Sequence, residues 1–175
     1  MRLKNGTVFW ITGLSGAGKT TIGKALYDQL LIDNKNLVIL DGDVLKHIVN
    51  VEGYSFDARL KKATSYSRLT KALADQGVNV IICTISMFDE VRNWNRENIQ
   101  NYVEVFLDVD MSVLYYRNQK GLYSNSSDNN VAGVNVEVQL PQNPDIVINN
   151  NGDISVSDCI QRIITKTSTL GYSDE

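Results

Sequence analysis

The sequence is poor in cysteine, proline and histidine and has no strong excess of charge of either sign. Its 175 residues include two cysteines, two prolines and one histidine, and the formal net charge is −3. Two cysteines supply neither a disulfide framework nor the spacing of a structural zinc site, and we expect Cys83 to be a buried, reduced thiol. Because clustered Lys and Arg carry non-specific nucleic-acid binding, we expect no nucleic-acid partner.

Long apolar runs are also missing. No stretch approaches the roughly 20 apolar residues that cross a bilayer, so we expect no membrane partner. The first residues lack the apolar segment and cleavage site of a signal peptide, which favours a cytoplasmic location. The length fits a single domain over residues 1–175, large enough to bury a core without disulfide or metal cross-links.

Strand-like and helix-like segments alternate along the chain. We predict strands over residues 7–12, 37–40, 78–85, 102–107 and 146–148. We predict helices over residues 19–31, 58–76, 89–101, from about 112, and over 155–170, with helical turns at 43–49. Continuous apolar strands separated by helices indicate an α/β fold, a parallel sheet of about five strands covered on both faces.

One long segment interrupts this alternation. Residues 118–144 contain the nearly apolar-free run SNSSDNN. A segment of this length inside a compact domain is typically a functional lid or disordered, and we expect a polar lid here.

The strongest motif lies between the first strand and the first helix. Gly13, Gly18, Lys19 and Thr20 satisfy G-x-x-x-x-G-K-[ST] in the strand–loop–helix context that a phosphate-binding loop requires. Its glycines let backbone N–H groups surround phosphates, its lysine reaches the β- and γ-phosphates, and its threonine binds Mg²⁺. We therefore predict an ATP and Mg²⁺ site, to which the loop also contributes Ser15, Gly16, Ala17 and Thr21.

Two carboxylates follow the second strand. Asp41 and Asp43 flank Gly42, and ligands of open parallel sheets bind at the carboxyl ends of strands. One carboxylate can help to hold the metal and the other can orient or deprotonate an acceptor hydroxyl. We assign Asp43 with Thr20 to the metal and keep both acids as catalytic candidates, the alternative being a pair of solvated turn acids. Asp108 is a further metal candidate, although it or Asp110 equally suits a helix N-cap.

A switch GTPase is excluded by missing motifs. Neither D-x-x-G nor [NT]-K-x-D occurs, and the only Asn-Lys pair, at residues 34–35, lacks the aspartate. A small-molecule kinase with a closing lid fits better.

On the helix predicted at 89–101, Arg92 and Arg96 are expected on a solvated face, although either can reach the lid. We read His47 as structural or peripheral, and Trp10 and Trp94 as packing residues.

Five segments together resemble the adenylylsulfate (APS) kinase family. They are GLSGAGKTT at 13–21, LDGDVLKH at 40–47, ISMFDEVR at 85–92, RNQKGLY at 117–123 and LPQNPDIVI at 140–148. The resemblance implies a P-loop kinase that uses ATP and Mg²⁺ to phosphorylate the 3′-hydroxyl of a small nucleotide acceptor, commonly as a homodimer. It also implies that Arg117 packs on the ATP base, that Lys120 belongs to the lid entry, and that Ser86 occupies a position often phosphorylated in the family.

The departures from the family pattern fall on the acceptor side. Lys46 replaces an arginine and Lys62 an asparagine, whereas Arg59 is kept. Thr64 and Ser65 stand where the family has two arginines, and Met87 replaces the proline after Ser86.

In the lid, Val131 replaces the phenylalanine that stacks on the acceptor adenine. Loss of that aromatic face would cost roughly 1–3 kcal/mol of stacking. We therefore expect the family variant that phosphorylates cytidine 5′-diphosphoramidate in capsule biosynthesis, with the acceptor phosphates held by Lys46, Arg59 and Lys62. APS is the alternative acceptor, and a non-catalytic ATP-binding module is the alternative from another class.

Overall fold

A computed structural model describes residues 1–118, 123, 131–134 and 136–173 of the chain. The strands of its sheet are β1 (Thr7–Thr12), β2 (Leu37–Asp41), β3 (Asn79–Cys83), β4 (Asn101–Asp108) and β5 (Ile146–Asn149). The helices in these parts are α1 (Lys19–Leu30), α2 (Gly42–Leu45), α3 (Phe56–Ala74), α4 (Asp89–Asn98), α5 (Met111–Arg117) and α6 (Val156–Thr169).

The strands form one parallel sheet in the order β2-β3-β1-β4-β5. All six residues of β1 are buried, and they alternate between two cores. Phe9 and Ile11 pack in the core that includes residues of α1 and α6, whereas Val8 and Trp10 pack in the core that includes residues of α3 and α4. This alternation confirms the predicted α/β class with both faces of the sheet covered.

Several element boundaries differ from the sequence prediction, and two of the differences have a clear local cause. The third helix begins at Phe56 rather than at residue 58 because the hydroxyl of Ser55 accepts a hydrogen bond from the N–H of Ala58 and caps it. The fourth helix ends at Asn98 rather than at residue 101, since Ile99 adopts an extended backbone and β4 already pairs with β1 from Asn101.

The carboxyl ends of β1, β2 and β3 lie side by side at one edge of the sheet. The loops that follow them are tied together there, since the hydroxyl of Thr12 donates to the carbonyl of Ile85 at 2.5 Å and the N–H of Thr84 donates to the carbonyl of Ile11 at 3.0 Å. The predicted phosphate loop and the two predicted carboxylates therefore meet at this edge. Across the described residues, no helix is both long and apolar enough to cross a membrane.

Candidate active site

Two glycines shape the loop between β1 and α1. Gly16 and Gly18 have positive φ angles of 79° and 94°, a left-handed region that side chains other than glycine rarely adopt. Gly18 is the N-cap residue of α1, so the loop turns directly into the helix. Its geometry is therefore the one that the motif predicts.

The loop presents unpaired backbone donors. Within the described part of the chain, no acceptor is bound by the N–H groups of Gly16, Gly18, Lys19, Thr20 or Thr21. N–H groups at a helix start have no partner inside the helix, and their partial positive charge favours an anion. The loop thus fits a phosphate group.

The Lys19 ammonium group points back across the same loop. Its Nζ donates to the carbonyls of Gly13 at 2.9 Å and Leu14 at 2.8 Å. Burial lowers the pKa of Lys19 to about 8, and the nearby carboxylates of Asp41 and Asp43 oppose this shift. A phosphate beside this amine would favour its protonated form, so the position suits a group that neutralises transferring charge.

Asp41 links the loop to α2. Its Oδ2 accepts a hydrogen bond from the Thr20 hydroxyl at 2.7 Å, and its Oδ1 accepts one from the N–H of Asp43 at 2.8 Å. Asp41 is the last residue of β2, and its hydrogen bond from the N–H of Asp43 makes it the N-cap of the short helix α2. Asp43 is 61% exposed and forms an ion pair with Lys46 at 3.1 Å.

These oxygen donors fit a hard divalent cation. Mg²⁺ characteristically takes one or two carboxylates and completes its coordination with water and phosphate. Thr20 can supply a hydroxyl ligand, and Asp41 and Asp43 can each supply a carboxylate ligand. The part of the chain that the structure describes contains no larger cluster of His, Cys, Asp and Glu for a metal.

The loop and the two carboxylates line one cleft of about 690 Å³, a size ordinary for a small-molecule site. Its described lining combines the phosphate loop, the start of α2, the end of β3 and one residue of α3. The lining residues are Ser15, Gly16, Gly18, Lys19, Thr20, Thr21, Asp41, Gly42, Asp43, Val44, Tyr66, Cys83, Thr84 and Ile85. Burial raises the pKa of the Cys83 thiol to about 12, which agrees with an unreactive core thiol.

The structure places Arg117 beside the phosphate loop. Its guanidinium donates to the carbonyl of Gly16 at 3.5 Å and to that of Asn150 at 2.7 Å. The side chain of Asn150 in turn donates to the carbonyl of Ala17 at 2.9 Å. Sequence reasoning missed this asparagine because it follows β5, over 130 residues from the loop that it contacts.

The three cations predicted for the acceptor are not in the described lining of the cleft. Lys46 is paired with Asp43, and Lys62 donates to the carbonyl of Gly53 at 2.9 Å. Arg59 donates to the carbonyl of Glu137 at 3.2 Å, and its guanidinium carbon lies 5.4 Å from the centre of the Phe88 ring. Burial lowers the pKa of Arg59 from its ordinary value. Arg59 therefore contacts Glu137, inside the segment predicted as a lid.

Two further predicted acceptor residues are buried. Ser86 is 9% exposed, has a φ of 29°, and shares a hydrogen bond of 2.6 Å with the hydroxyl of Thr84. Val131 is 3% exposed and belongs to the core on the α1 face of the sheet. Lys120 lies outside the described residues.

The expectation of a solvated face at Arg92 is wrong. This side chain is 6% exposed and donates to the carbonyls of Gln139 at 2.7 Å and Leu140 at 3.4 Å. It also pairs with Asp89 and, at 3.6 Å, with Glu104. The alternative that an arginine of α4 reaches the lid segment is the one confirmed for Arg92.

Arg96 is only partly exposed and joins the same group of charges. It pairs with Glu104 at 2.8 Å and with Asp145 at 3.1 Å. Burial raises the pKa of Glu104, while the two arginines oppose the shift. This network fastens residues 139–145 to α4 and β4.

The remaining residues singled out in the sequence lie away from the cleft. His47 is exposed, and Trp10 is fully buried in the core that faces α3 and α4. Trp94 packs under the guanidinium of Arg68 at 3.8 Å. Asp110 precedes α5 as its N-cap residue, the role considered for it, although its side chain makes no capping hydrogen bond.

Comparison with known proteins places this geometry in a family. The family model for adenylylsulphate kinase matches residues 5–149. Cytidine diphosphoramidate kinase of Campylobacter jejuni is 42% identical over 165 residues, which are 93% of this chain and 96% of that protein. Adenylyl-sulfate kinases are 37% identical in Pseudomonas aeruginosa, over 81% of this chain and 75% of that protein, and 30% identical in Microcystis aeruginosa, over 97% and 95%.

A solved structure agrees with the fold. The Mycobacterium tuberculosis APS kinase in complex with AMPPNP and APS superposes with a TM-score of 0.82 at 29% identity, covering 94% of this chain and 99% of that one.

Proposed function

Because the chain belongs to the adenylylsulphate kinase family, we propose that it transfers the γ-phosphoryl group of ATP to the 3′-hydroxyl of cytidine 5′-diphosphoramidate. It is a nucleotide kinase, as are the relatives compared above. The observation that carries the choice of acceptor is the 42% identity to a cytidine diphosphoramidate kinase over nearly the full length of both chains, against 30% and 37% for two adenylyl-sulfate kinases.

On the donor side, the phosphate loop holds the triphosphate. Its unpaired N–H groups surround the phosphate oxygens, and the Lys19 ammonium group moves from the carbonyls of Gly13 and Leu14 to the β- and γ-phosphates. Thr20 and Asp41 would hold Mg²⁺, which would supply positive charge to neutralise the phosphates. Arg117 stands next to the loop, where its guanidinium plane can cover the adenine.

The contacts favour a division of labour between the two carboxylates that differs from the sequence assignment. Asp41 is bound directly to the Thr20 hydroxyl, so we place it with Thr20 on the metal side. Asp43 lies two residues further along, lines the cleft and is 61% exposed, and we assign it to the acceptor. Its carboxylate takes the 3′-hydroxyl proton as the O3′–P bond forms and the bond from Pγ to the leaving ADP oxygen breaks.

The acceptor side offers a second argument for the cytidine compound. Val131, at the position where the family carries an adenine-stacking phenylalanine, is an aliphatic side chain buried in the core. It supplies no aromatic face to an adenine. APS remains the second candidate, because the superposed Mycobacterium tuberculosis enzyme holds APS and the family model carries its name.

The test is turnover of each acceptor in separate reactions. The protein, ATP and Mg²⁺ are incubated with cytidine 5′-diphosphoramidate or with APS, ADP release is followed, and phosphorus NMR locates the new phosphate. We expect ADP release with the cytidine compound and a new phosphomonoester on its ribose 3′-oxygen. Turnover of APS alone would make the chain an APS kinase, and no turnover of either would contradict the proposal.

A further inference from the structure

We propose that Tyr66 is an acceptor-recognition residue, whose hydroxyl donates a hydrogen bond to an oxygen of the acceptor nucleotide beside the reacting ribose hydroxyl. The inference rests on the proposed kinase function and adds to it a determinant of acceptor binding. It arises from an unpaired donor in the cleft rather than from any motif, since Tyr66 lies in no phosphate-binding or carboxylate segment.

The ring of Tyr66 is held firmly by the core. The residue belongs to the third turn of α3 and is 5% exposed. It is part of the buried cluster that includes Trp10, Leu45 and Phe88. A ring packed in this way has little freedom to turn, so the position of its hydroxyl is fixed before any ligand binds.

The hydroxyl has no partner among the described residues. It makes no hydrogen bond there, yet it is not one of the fully enclosed polar atoms, and Tyr66 lines the cleft. A tyrosine buried to this degree normally satisfies its hydroxyl with a hydrogen bond. Its remaining opening is toward the cleft, so a ligand there supplies the missing acceptor.

The other donors on this side of the cleft are already engaged. Beyond the phosphate loop, the described lining holds three side-chain donors, Tyr66, Cys83 and Thr84. Cys83 donates to the carbonyl of Lys19 at 3.3 Å, and Thr84 shares its hydrogen bond with Ser86. Of these three side chains, Tyr66 is thus the one that makes no hydrogen bond to a described residue.

Its surroundings suit a donor that works next to Asp43. Burial and, to a lesser degree, the negative charge of Asp43 raise the pKa of the Tyr66 phenol above its ordinary value. The phenol therefore stays protonated at neutral pH. A neutral donor near the carboxylate can hold an acceptor oxygen without competing for the proton that Asp43 removes.

The experiment compares Tyr66→Phe with the wild type and with Tyr116→Phe, a control at a position 92% exposed on α5. With ATP saturating, we expect kcat/KM for the acceptor to fall about tenfold in Tyr66→Phe, the size of one good hydrogen bond. KM for ATP should change less than about twofold. Because the substitution removes an unpaired hydroxyl from the free protein, its Tm should equal or exceed that of the wild type.

These readouts separate recognition from a structural role. A kcat/KM for the acceptor within about twofold of the wild type would overturn the inference, as would an equal loss in kcat/KM for ATP. A lower Tm together with a loss of kcat/KM for both the acceptor and ATP would also overturn it, because it would indicate a structural role. If the wild type phosphorylates APS but not the cytidine compound, the proposed acceptor fails and Tyr66→Phe is judged with APS. If the wild type phosphorylates neither, both proposals fall.

Discussion

Replacement of Arg92 by methionine tests whether residues 139 and 140, inside the segment predicted as a lid, are held in place by a buried charge. The Arg92 guanidinium donates to the Gln139 carbonyl at 2.7 Å and forms an ion pair with Glu104 at 3.6 Å. The Glu104 side chain is only 2% exposed. Methionine has a similar length but offers no donors. The variant therefore leaves the part-buried carbonyl of Gln139 without this donor and removes one of the two arginines that compensate the Glu104 carboxylate.

The expected loss follows from these contacts. A hydrogen bond to a charged group contributes about 1.5–3 kcal/mol, and breaking a buried ion pair costs about 3–5 kcal/mol. Because Arg96 still pairs with Glu104 at 2.8 Å, the second cost is only partly incurred. We expect Arg92→Met to lower the free energy of unfolding by about 3 kcal/mol.

Urea unfolding at a constant m-value measures this loss. The matched control is Lys24→Met, which removes an exposed ion pair with Asp28 and should cost less than about 0.5 kcal/mol. A double variant that adds Glu104→Gln should recover part of the loss, since no buried carboxylate then remains uncompensated. A cost for Arg92→Met no larger than that of Lys24→Met would refute the buried network.

Three further substitutions or reactions probe the cleft and its floor. Asp41→Asn should lower kcat by about 10²–10³-fold, with the Tm nearly unchanged because asparagine still caps α2; a kcat near that of the wild type would remove Asp41 from the mechanism. Gly23→Ala should destabilise by about 1–3 kcal/mol in thermal unfolding, since its Cβ would overlap the Sγ of Cys83, and Cys83→Ala in the same chain should restore most of it; an additive loss would contradict that contact. With its pKa raised to about 12, Cys83 should resist iodoacetamide at pH 8 in the native protein and react after unfolding, as read by mass spectrometry; rapid native labelling would show an accessible thiol.

The features that sequence alone predicted are those fixed by local pattern. The phosphate loop requires glycines at set spacing, and Gly16 and Gly18 do take the positive φ angles that only glycine adopts easily. Apolar runs marked all five strands because strands buried on both faces tolerate few polar residues.

The features that sequence missed depend on contacts between distant segments. Arg92 on an otherwise polar helix looks solvent-facing, and its carbonyl partners lie 47 and 48 residues further along the chain. Tyr66 lies on the buried face of α3 with Ala63 and Thr70, so its spacing indicates core packing. The same spacing gives no sign that Tyr66 also lines the cleft. The family pattern places Arg59 and Lys62 at the acceptor, which stays a prediction, and in the structure they donate to the carbonyls of Glu137 and Gly53.

The most direct test of the central claim is a competition between the two acceptors. Equal concentrations of cytidine 5′-diphosphoramidate and APS are mixed with limiting ATP and Mg²⁺, and the two 3′-phosphorylated products are quantified by mass spectrometry, which gives the ratio of their kcat/KM values. We expect the cytidine product to exceed the adenylyl product by at least about tenfold, a difference of about 1.4 kcal/mol in transition-state binding. A ratio that favours the adenylyl product would contradict the proposed acceptor and identify the chain as a kinase of APS.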